Sequence, residues 1–179
     1  NGVAFCPHCD GPFYANKPIA VIGGGNSGVE AAIDLANTVS HVTVLEFGEG
    51  LNADAVLVNR LHHCTNVTCI TQAKTVAIIG NGTTVTGIQY INRNDNRLHT
   101  LDLAGVFVQI GLKPNSDLVH SLVTSTDYGE IEITDHCHTN IPGIFSAGDV
   151  TTTPYKQIVV ASGEGAKAGM ACASFIQGI

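Results

Sequence analysis

The fold is decided by residues 18–36, which read PIAVIGGGNSGVEAAIDLA. The first five residues are a short apolar run, which is typical of a parallel strand buried on both faces. Apolar side chains then recur at helical spacing from residue 26 to residue 39, behind a polar first turn, and predict a helix. A second apolar run at residues 41–45 completes a strand–helix–strand unit, whose parallel crossover should be right-handed.

The glycines between this strand and this helix match the dinucleotide fingerprint G-x-G-x-x-G in the context that it requires. The first glycine permits a tight turn, the second lets a pyrophosphate approach the backbone, and the third allows close packing of helix and strand. N–H groups of the first helical turn then face the phosphates. The predicted binding residues of this loop are Gly23, Gly24, Gly25, Asn26, Ser27 and Gly28.

The second strand is followed by an acidic residue, Glu46. A carboxylate about 20 residues beyond the glycines can accept hydrogen bonds from the ribose hydroxyls and repels a 2′-phosphate. No arginine occurs in residues 47–51. The sequence therefore predicts NAD(H) rather than NADP(H); the alternative is that the glycines serve packing alone.

The rest of the chain predicts an α/β fold in two parts. Asn81-Gly82 is a strong hairpin signal and indicates an inserted three-stranded β-meander. We expect a Rossmann-like domain over residues 1–110 and a second domain over residues 111–179. Beyond the central unit, the predicted helices are 53–62 and 155–176, and the predicted strands are 67–70, 74–79, 83–91, 98–101, 105–110, 130–133 and 143–146.

Composition excludes several classes of protein. Charged residues make up 13% and apolar residues 44% of the chain, which is not the composition of a disordered segment. The net charge is −7 without a basic cluster, which argues against a nucleic-acid or membrane-surface partner. No apolar run reaches the roughly 18 residues that span a bilayer.

Two of the six cysteines form one C-x-x-C motif, Cys6-Pro7-His8-Cys9. Without secretory features, such a motif indicates either a redox pair or half of a zinc site. His8 can stabilise a neighbouring thiolate, and the carboxyl of Asp10 can exchange protons with a dithiol. Further zinc ligands are not well placed, so we expect no metal; the candidates considered are His62, His63, Cys64, Cys69 and the His136-Cys137-His138 triplet.

Taken together, these motifs resemble the low-molecular-weight thioredoxin reductase group and, within it, the flavoprotein subunits of bacterial alkyl hydroperoxide reductases. The resemblance covers the chain from end to end. Thioredoxin reductases proper usually carry arginines after the second strand, and this sequence does not. The matching stretches are residues 6–11, 23–36, 45–47, 107–112 and 153–158.

The resemblance implies an electron relay from NADH through FAD to a Cys6–Cys9 disulfide. The dithiol then reduces an N-terminal thioredoxin-like domain, which recharges a peroxiredoxin. In this family Cys9 would face the flavin, Cys6 would be the interchange thiol and Asp10 the acid–base group. The residues that it assigns to cofactor binding in the later part of the chain are Gly111, Gly148, Asp149, Lys156, Gln157 and Ile158.

The resemblance also implies what this chain lacks. In the family the FAD domain is split around the nicotinamide domain, whereas this sequence carries one fingerprint. We therefore expect residues 111–179 to be the C-terminal half of a split FAD-binding domain, and the isolated chain to bind FAD weakly. We also expect a cytoplasmic homodimer, with apolar faces of the last helix exposed. The alternatives are a thioredoxin reductase and a non-catalytic nucleotide-binding or zinc-binding module.

Overall fold

A computed structural model describes residues 1–178 of the chain. The chain divides into two units, Asn1–Gly111 and a second that begins at Leu112. The helices are α1 (Pro7–Asp10), α2 (Asn26–Ala36), α3 (Ala55–His62) and α4 (Ile158–Gln177). The strands are β1 (Val3–Ala4), β2 (Pro18–Ile22), β3 (His41–Leu45), β4 (Val67–Ile70), β5 (Ala73–Gly80), β6 (Val85–Asn92), β7 (Arg97–Asp102) and β8 (Gly105–Val108).

The first unit contains a five-stranded sheet in the order β1-β8-β2-β3-β4, and every pairing in it is parallel. The central strand is β2, where Val21 lies opposite Val44 on one side and Phe107 on the other. β5, β6 and β7 form a separate antiparallel sheet. The predicted α/β class, with a Rossmann-like sheet and an inserted meander, is confirmed.

Both faces of the parallel sheet are buried. Successive side chains of a strand point to opposite sides, so one strand can contribute to a hydrophobic cluster on either face. On one face, Ile19 and Val21 pack in a cluster with Val29 of α2. On the other face, Ala20 joins a cluster with Ile88 of the meander. Complete burial of a valine or isoleucine side chain, such as Val21 or Ile88, contributes about 1.5–3 kcal/mol to stability. The meander therefore covers the sheet face that α2 leaves open.

The element boundaries differ from the predictions where side chains bind the backbone. α2 ends three residues early, because the Asn37 side chain donates to the Ile33 carbonyl (3.2 Å) and caps the last turn. The connection between β5 and β6 spans residues 81–84, not the two residues of a tight hairpin. The Asn81 side-chain oxygen accepts N–H groups of Thr83 (3.1 Å) and Thr84 (3.0 Å), and this widens the turn.

The second unit has less regular structure than the sequence indicates. The strands expected at residues 130–133 and 143–146 are wrong, because each makes single bridges only, at Ile131 and Phe145. α4 begins three residues later than predicted, and Gln157 remains extended as its N-cap. Within the described chain, no helix is long and apolar enough to cross a membrane.

Candidate active site

The turn after β2 is built around two glycines at which any side chain would collide with the backbone. Gly23 has a φ of +110°, and a Cβ there would overlap the Gln109 carbonyl oxygen. A Cβ at Gly28 would overlap the Gly23 carbonyl oxygen, so α2 starts in direct contact with the turn. At Gly25, by contrast, the nearest atom to a Cβ is the Asn52 carbonyl oxygen at 3.9 Å. The space beside Gly25 is therefore open.

A fixed carboxylate stands at the end of β3, beside this turn. One oxygen of Glu46 accepts the N–H of Gly24 at 2.5 Å, and the other accepts the N–H of Gly48 at 2.6 Å. Carboxyl ends of parallel strands meet at one edge of the sheet, where nucleotides bind in such folds. The two bonds hold a negative charge at this edge, with lone pairs left for a further donor.

The glycine turn and this carboxylate open onto one cleft of about 720 Å³. The structure brings Gly23, Gly24, Gly25, Asn26, Ser27, Glu46 and Gly111 together along its wall. Phe47 and Lys74 line it as well. Gly28 instead packs beneath the turn. The cleft lies within the size range of small-molecule and cofactor sites.

Polar groups support this turn, and two of the residues that supply them, Asp54 and Asn52, were not among the predicted binding residues. The Asn26 side chain donates to the Asp54 carboxylate (3.2 Å) and accepts the Asp54 N–H (2.8 Å), which ties the starts of α2 and α3 together. The Asn52 N–H donates to the Gly24 carbonyl at 2.8 Å. Asn26 and Asp54 are 28 residues apart, so no local pattern could indicate the pair.

The C-x-x-C motif is oxidised in this structure. Cys6 and Cys9 form a disulfide with a Cα–Cα distance of 5.3 Å. Cys6 is the N-cap of α1, and its Sγ accepts the Cys9 N–H at 3.2 Å. Pro7 occupies the first helical position, where its missing N–H costs nothing. The motif thus forms a helical turn with Cys6 at its N-cap.

Charged residues surround this disulfide. His8 lies 3.7 Å from the Asp34 carboxylate of α2. Asp10 ends α1 and lines a cleft with Tyr14 and Lys17. Burial and the negative charge of Asp10 raise the pKa of the Tyr14 phenol. The described residues that line the cleft at the glycine turn do not include Cys6, Cys9 or Asp10, so this cleft and the disulfide are separate.

In the second unit, Glu164 organises the loop that contains Gly148. Its carboxylate accepts the N–H of Gly148 at 2.8 Å and a short hydrogen bond from the Thr153 hydroxyl. Burial favours the neutral acid, but these two bonds and the charges of Lys167 and Lys156 outweigh it and lower the pKa of Glu164. The sequence analysis did not identify this carboxylate.

Lys156 is anchored rather than free. Its Nζ lies 2.8 Å from a Glu130 carboxylate oxygen and donates to the Thr151 carbonyl at 2.5 Å. Asp149 and Lys156 line one cleft of about 540 Å³. Gln157 and Ile158 follow at the start of α4, where the Ile158 side chain is exposed.

The residues considered as zinc ligands are divided between the two units. Cys6 and Cys9 are bonded to each other, and no group of three or more potential ligands gathers within residues 1–178. Cys137, the middle residue of the His136-Cys137-His138 triplet, is buried. Its thiol donates to the Glu164 carbonyl at 3.6 Å. Burial raises the pKa of Cys69 and is the largest cause of the raised pKa of Cys137.

A Rossmann-type sheet with a cleft at its glycine turn, together with a C-x-x-C disulfide in the same unit, is typical of one class of protein, the nucleotide-dependent disulfide oxidoreductases. The chain belongs to the pyridine nucleotide-disulphide oxidoreductase family, whose model matches residues 1–165.

Two curated proteins and one solved structure show which members of the family the chain is similar to. Over 170 residues the chain is 56% identical to the alkyl hydroperoxide reductase F protein of Pseudomonas putida, covering 95% of this chain and 33% of the relative. Over 175 residues it is 51% identical to the corresponding protein of Escherichia coli K12, covering 98% of this chain and 34% of that relative. A solved thioredoxin reductase from Streptococcus pyogenes MGAS5005 has a TM-score of 0.92 at 33% identity, over 99% of this chain and 58% of that one. The chain thus spans about a third of the curated relatives that it matches.

Proposed function

We propose that the chain is the NADH-binding and disulfide-bearing part of an alkyl hydroperoxide reductase flavoprotein. One observation carries the proposal: the unit Asn1–Gly111 holds both a nucleotide cleft with a fixed carboxylate and the Cys6–Cys9 disulfide. The identity of 51–56% to the two alkyl hydroperoxide reductase F proteins supports this assignment over other members of the family.

In the nucleotide cleft, the backbone does most of the binding. N–H groups at the start of α2 bind the pyrophosphate, and the open space beside Gly25 admits it. Glu46 accepts hydrogen bonds from the ribose hydroxyls and repels a 2′-phosphate, which selects NADH. The Asn26–Asp54 pair holds the helix start in place before the nucleotide arrives.

The two separate sites require an electron carrier between them. A bound FAD would supply the two-electron chemistry that links NADH to the disulfide. Residues of the second unit fit this cofactor: Asp149 and Lys156 share a cleft, and the start of α4 presents N–H groups beside Gln157 and Ile158. Such N–H groups favour the negative charge of a reduced flavin.

Disulfide exchange follows from the geometry of α1. Two electrons and two protons convert Cys6–Cys9 into two thiols, and Asp10 exchanges protons with them. The Cys6 thiolate is stabilised by the Cys9 N–H, so it attacks the disulfide of the partner and forms a mixed disulfide. Cys9 then displaces the partner, which leaves as a dithiol, and the Cys6–Cys9 bond forms again.

The partners that we propose follow the same chemistry. A thioredoxin-like domain N-terminal to this chain accepts the electrons, and a peroxiredoxin uses them to reduce hydroperoxides. The whole protein would act as a cytoplasmic homodimer. Thioredoxin reductase is the second candidate, favoured by the similarity to the Streptococcus pyogenes structure, and it would prefer NADPH.

Trapping of a mixed disulfide tests the relay. We expect the reduced Cys9→Ser chain to form a stable mixed disulfide through Cys6 with a thioredoxin probe that keeps one active-site cysteine, supplied as its thionitrobenzoate mixed disulfide so that the leaving thiolate departs. The matched control is Cys6→Ser, which retains every other cysteine and should trap far less. Equal trapping by the two variants in non-reducing gels and peptide mass spectrometry would contradict the assignment of Cys6.

A further inference from the structure

A cation contacts the residue that follows the fixed carboxylate, although no cation is near that residue in the sequence. The Arg93 guanidinium carbon sits 4.1 Å from the centre of the Phe47 ring, and Nη1 donates to the Phe47 carbonyl at 2.8 Å. Phe47 directly follows Glu46 and lines the same cleft. Arg93 is 46 residues away in the chain, at the turn between β6 and β7.

This placement is fixed from two directions. Nη1 of Arg93 also donates to the Gln72 side chain at 3.1 Å, and the Arg93 N–H donates to the Gln72 carbonyl at 2.7 Å. The Gln72 N–H in turn donates to the Gly48 carbonyl at 2.7 Å. The meander turn and the turn that follows β3 are therefore held together, with the guanidinium between them.

We propose that Arg93, which stacks on Phe47 in the wall of the cleft, is a specificity-determining residue, so that Arg93 and Glu46 together set the preference between NADH and NADPH. The inference rests on the proposed function, because it takes the ribose 2′ position to lie at Glu46. A guanidinium stacked on an aromatic ring still directs N–H groups outward in its plane, and these groups match the geometry of a phosphate. With the Glu46 carboxylate present, its negative charge repels a 2′-phosphate and so prevents the phosphate from binding to the guanidinium.

The proposal predicts that removal of the carboxylate exposes a phosphate site that already exists. Lys74 is the competing explanation, since its side chain lines the same cleft. Lys74 belongs to β5, whereas Arg93 lies at the turn between β6 and β7 and contacts Gln72. Each cation can therefore be removed by its own substitution.

Calorimetric titration of the whole chain with ADP and with adenosine 2′,5′-bisphosphate tests the proposal. We expect Glu46→Gln to raise the affinity for the bisphosphate relative to ADP by about tenfold, the effect of one charge-assisted hydrogen bond. Adding Arg93→Gln should remove most of this gain, whereas adding Lys74→Gln should leave it. Glu46→Ser repeats the test, with thermal unfolding as the check that each variant is folded.

Three results would overturn the inference: no gain in the Glu46 variants, a gain that persists without Arg93, or a gain that disappears without Lys74. If ADP and NADH bind to the wild-type chain, each of these results overturns the inference and leaves the proposed function standing. If the wild-type chain binds none of these nucleotides, the proposed function fails first and the inference with it.

Discussion

Substitution of Gly25 by valine should remove nucleotide binding without unfolding the chain. Gly25 is the N-cap of α2 with a φ of −79° and a ψ of −176°, an extended conformation that a β-branched residue adopts readily. The nearest atom to an added Cβ is 3.9 Å away. The new side chain therefore occupies space that the protein leaves open and that a pyrophosphate would need.

The magnitudes follow from these contacts. A non-polar N-cap in place of glycine costs about 1 kcal/mol, and about 4–8 °C in unfolding temperature for a unit of this size. Loss of two charge-assisted hydrogen bonds to a pyrophosphate costs about 3 kcal/mol, or roughly a hundredfold in affinity for NADH. Binding should thus fall far more than stability.

Gly28→Ala is the matched comparison. Its Cβ would overlap the Gly23 carbonyl oxygen, so the helix must move away from the turn. We expect a loss of about 3 kcal/mol or more in stability, with binding lost as a consequence. The assays are calorimetric titration with NADH and thermal unfolding by circular dichroism. Unchanged NADH affinity in Gly25→Val, or equal destabilisation by the two variants, would refute the reasoning.

The remaining predictions concern the second unit. Lys156→Met should lower its stability by about 2 kcal/mol, because the half-buried Glu130 loses its partner; Lys113→Met, which breaks the exposed pair with Asp117, should change the unfolding temperature little. The lowered pKa of Glu164 stabilises the fold above its ordinary pKa of 4.5, and this contribution disappears as the pH falls through the lowered value. Thermal unfolding should therefore become easier in acid, and Glu164→Gln should weaken that dependence; an unchanged pH profile would count against the assigned hydrogen bonds. Titration with FAD should show little binding, and stoichiometric yellow flavin in the purified chain would contradict this.

Local signals explain what could be predicted from the sequence. The turn and helix around Gly23 and Gly28 depend on local limits, because Gly23 needs a positive φ and a Cβ at Gly28 would overlap the Gly23 carbonyl oxygen. The fingerprint therefore predicts their geometry. Glu46 follows from its place at the end of the second strand. The C-x-x-C spacing likewise indicated the pair that forms the disulfide.

Long-range contacts explain what was missed. Arg93 and Phe47 are 46 residues apart, and Gly148 and Glu164 are 16 apart, so no periodicity connects them. The strand expected around Ile131 failed for a related reason. Its alternating pattern is real and Ile131 is buried, yet a strand also needs a neighbour over several residues, and Ile131 makes only single bridges with Ser125 and Thr151.

Competition between NADH and NADPH for the wild-type chain tests the central claim most directly. The account predicts that NADH binds to one site at least about tenfold more tightly than NADPH. The reason is that two backbone N–H groups hold the Glu46 carboxylate, which we propose accepts from the ribose hydroxyls and repels a 2′-phosphate. The measurement is calorimetric titration of the purified chain with each nucleotide. Absence of NADH binding, or equal or tighter binding of NADPH, would contradict the account.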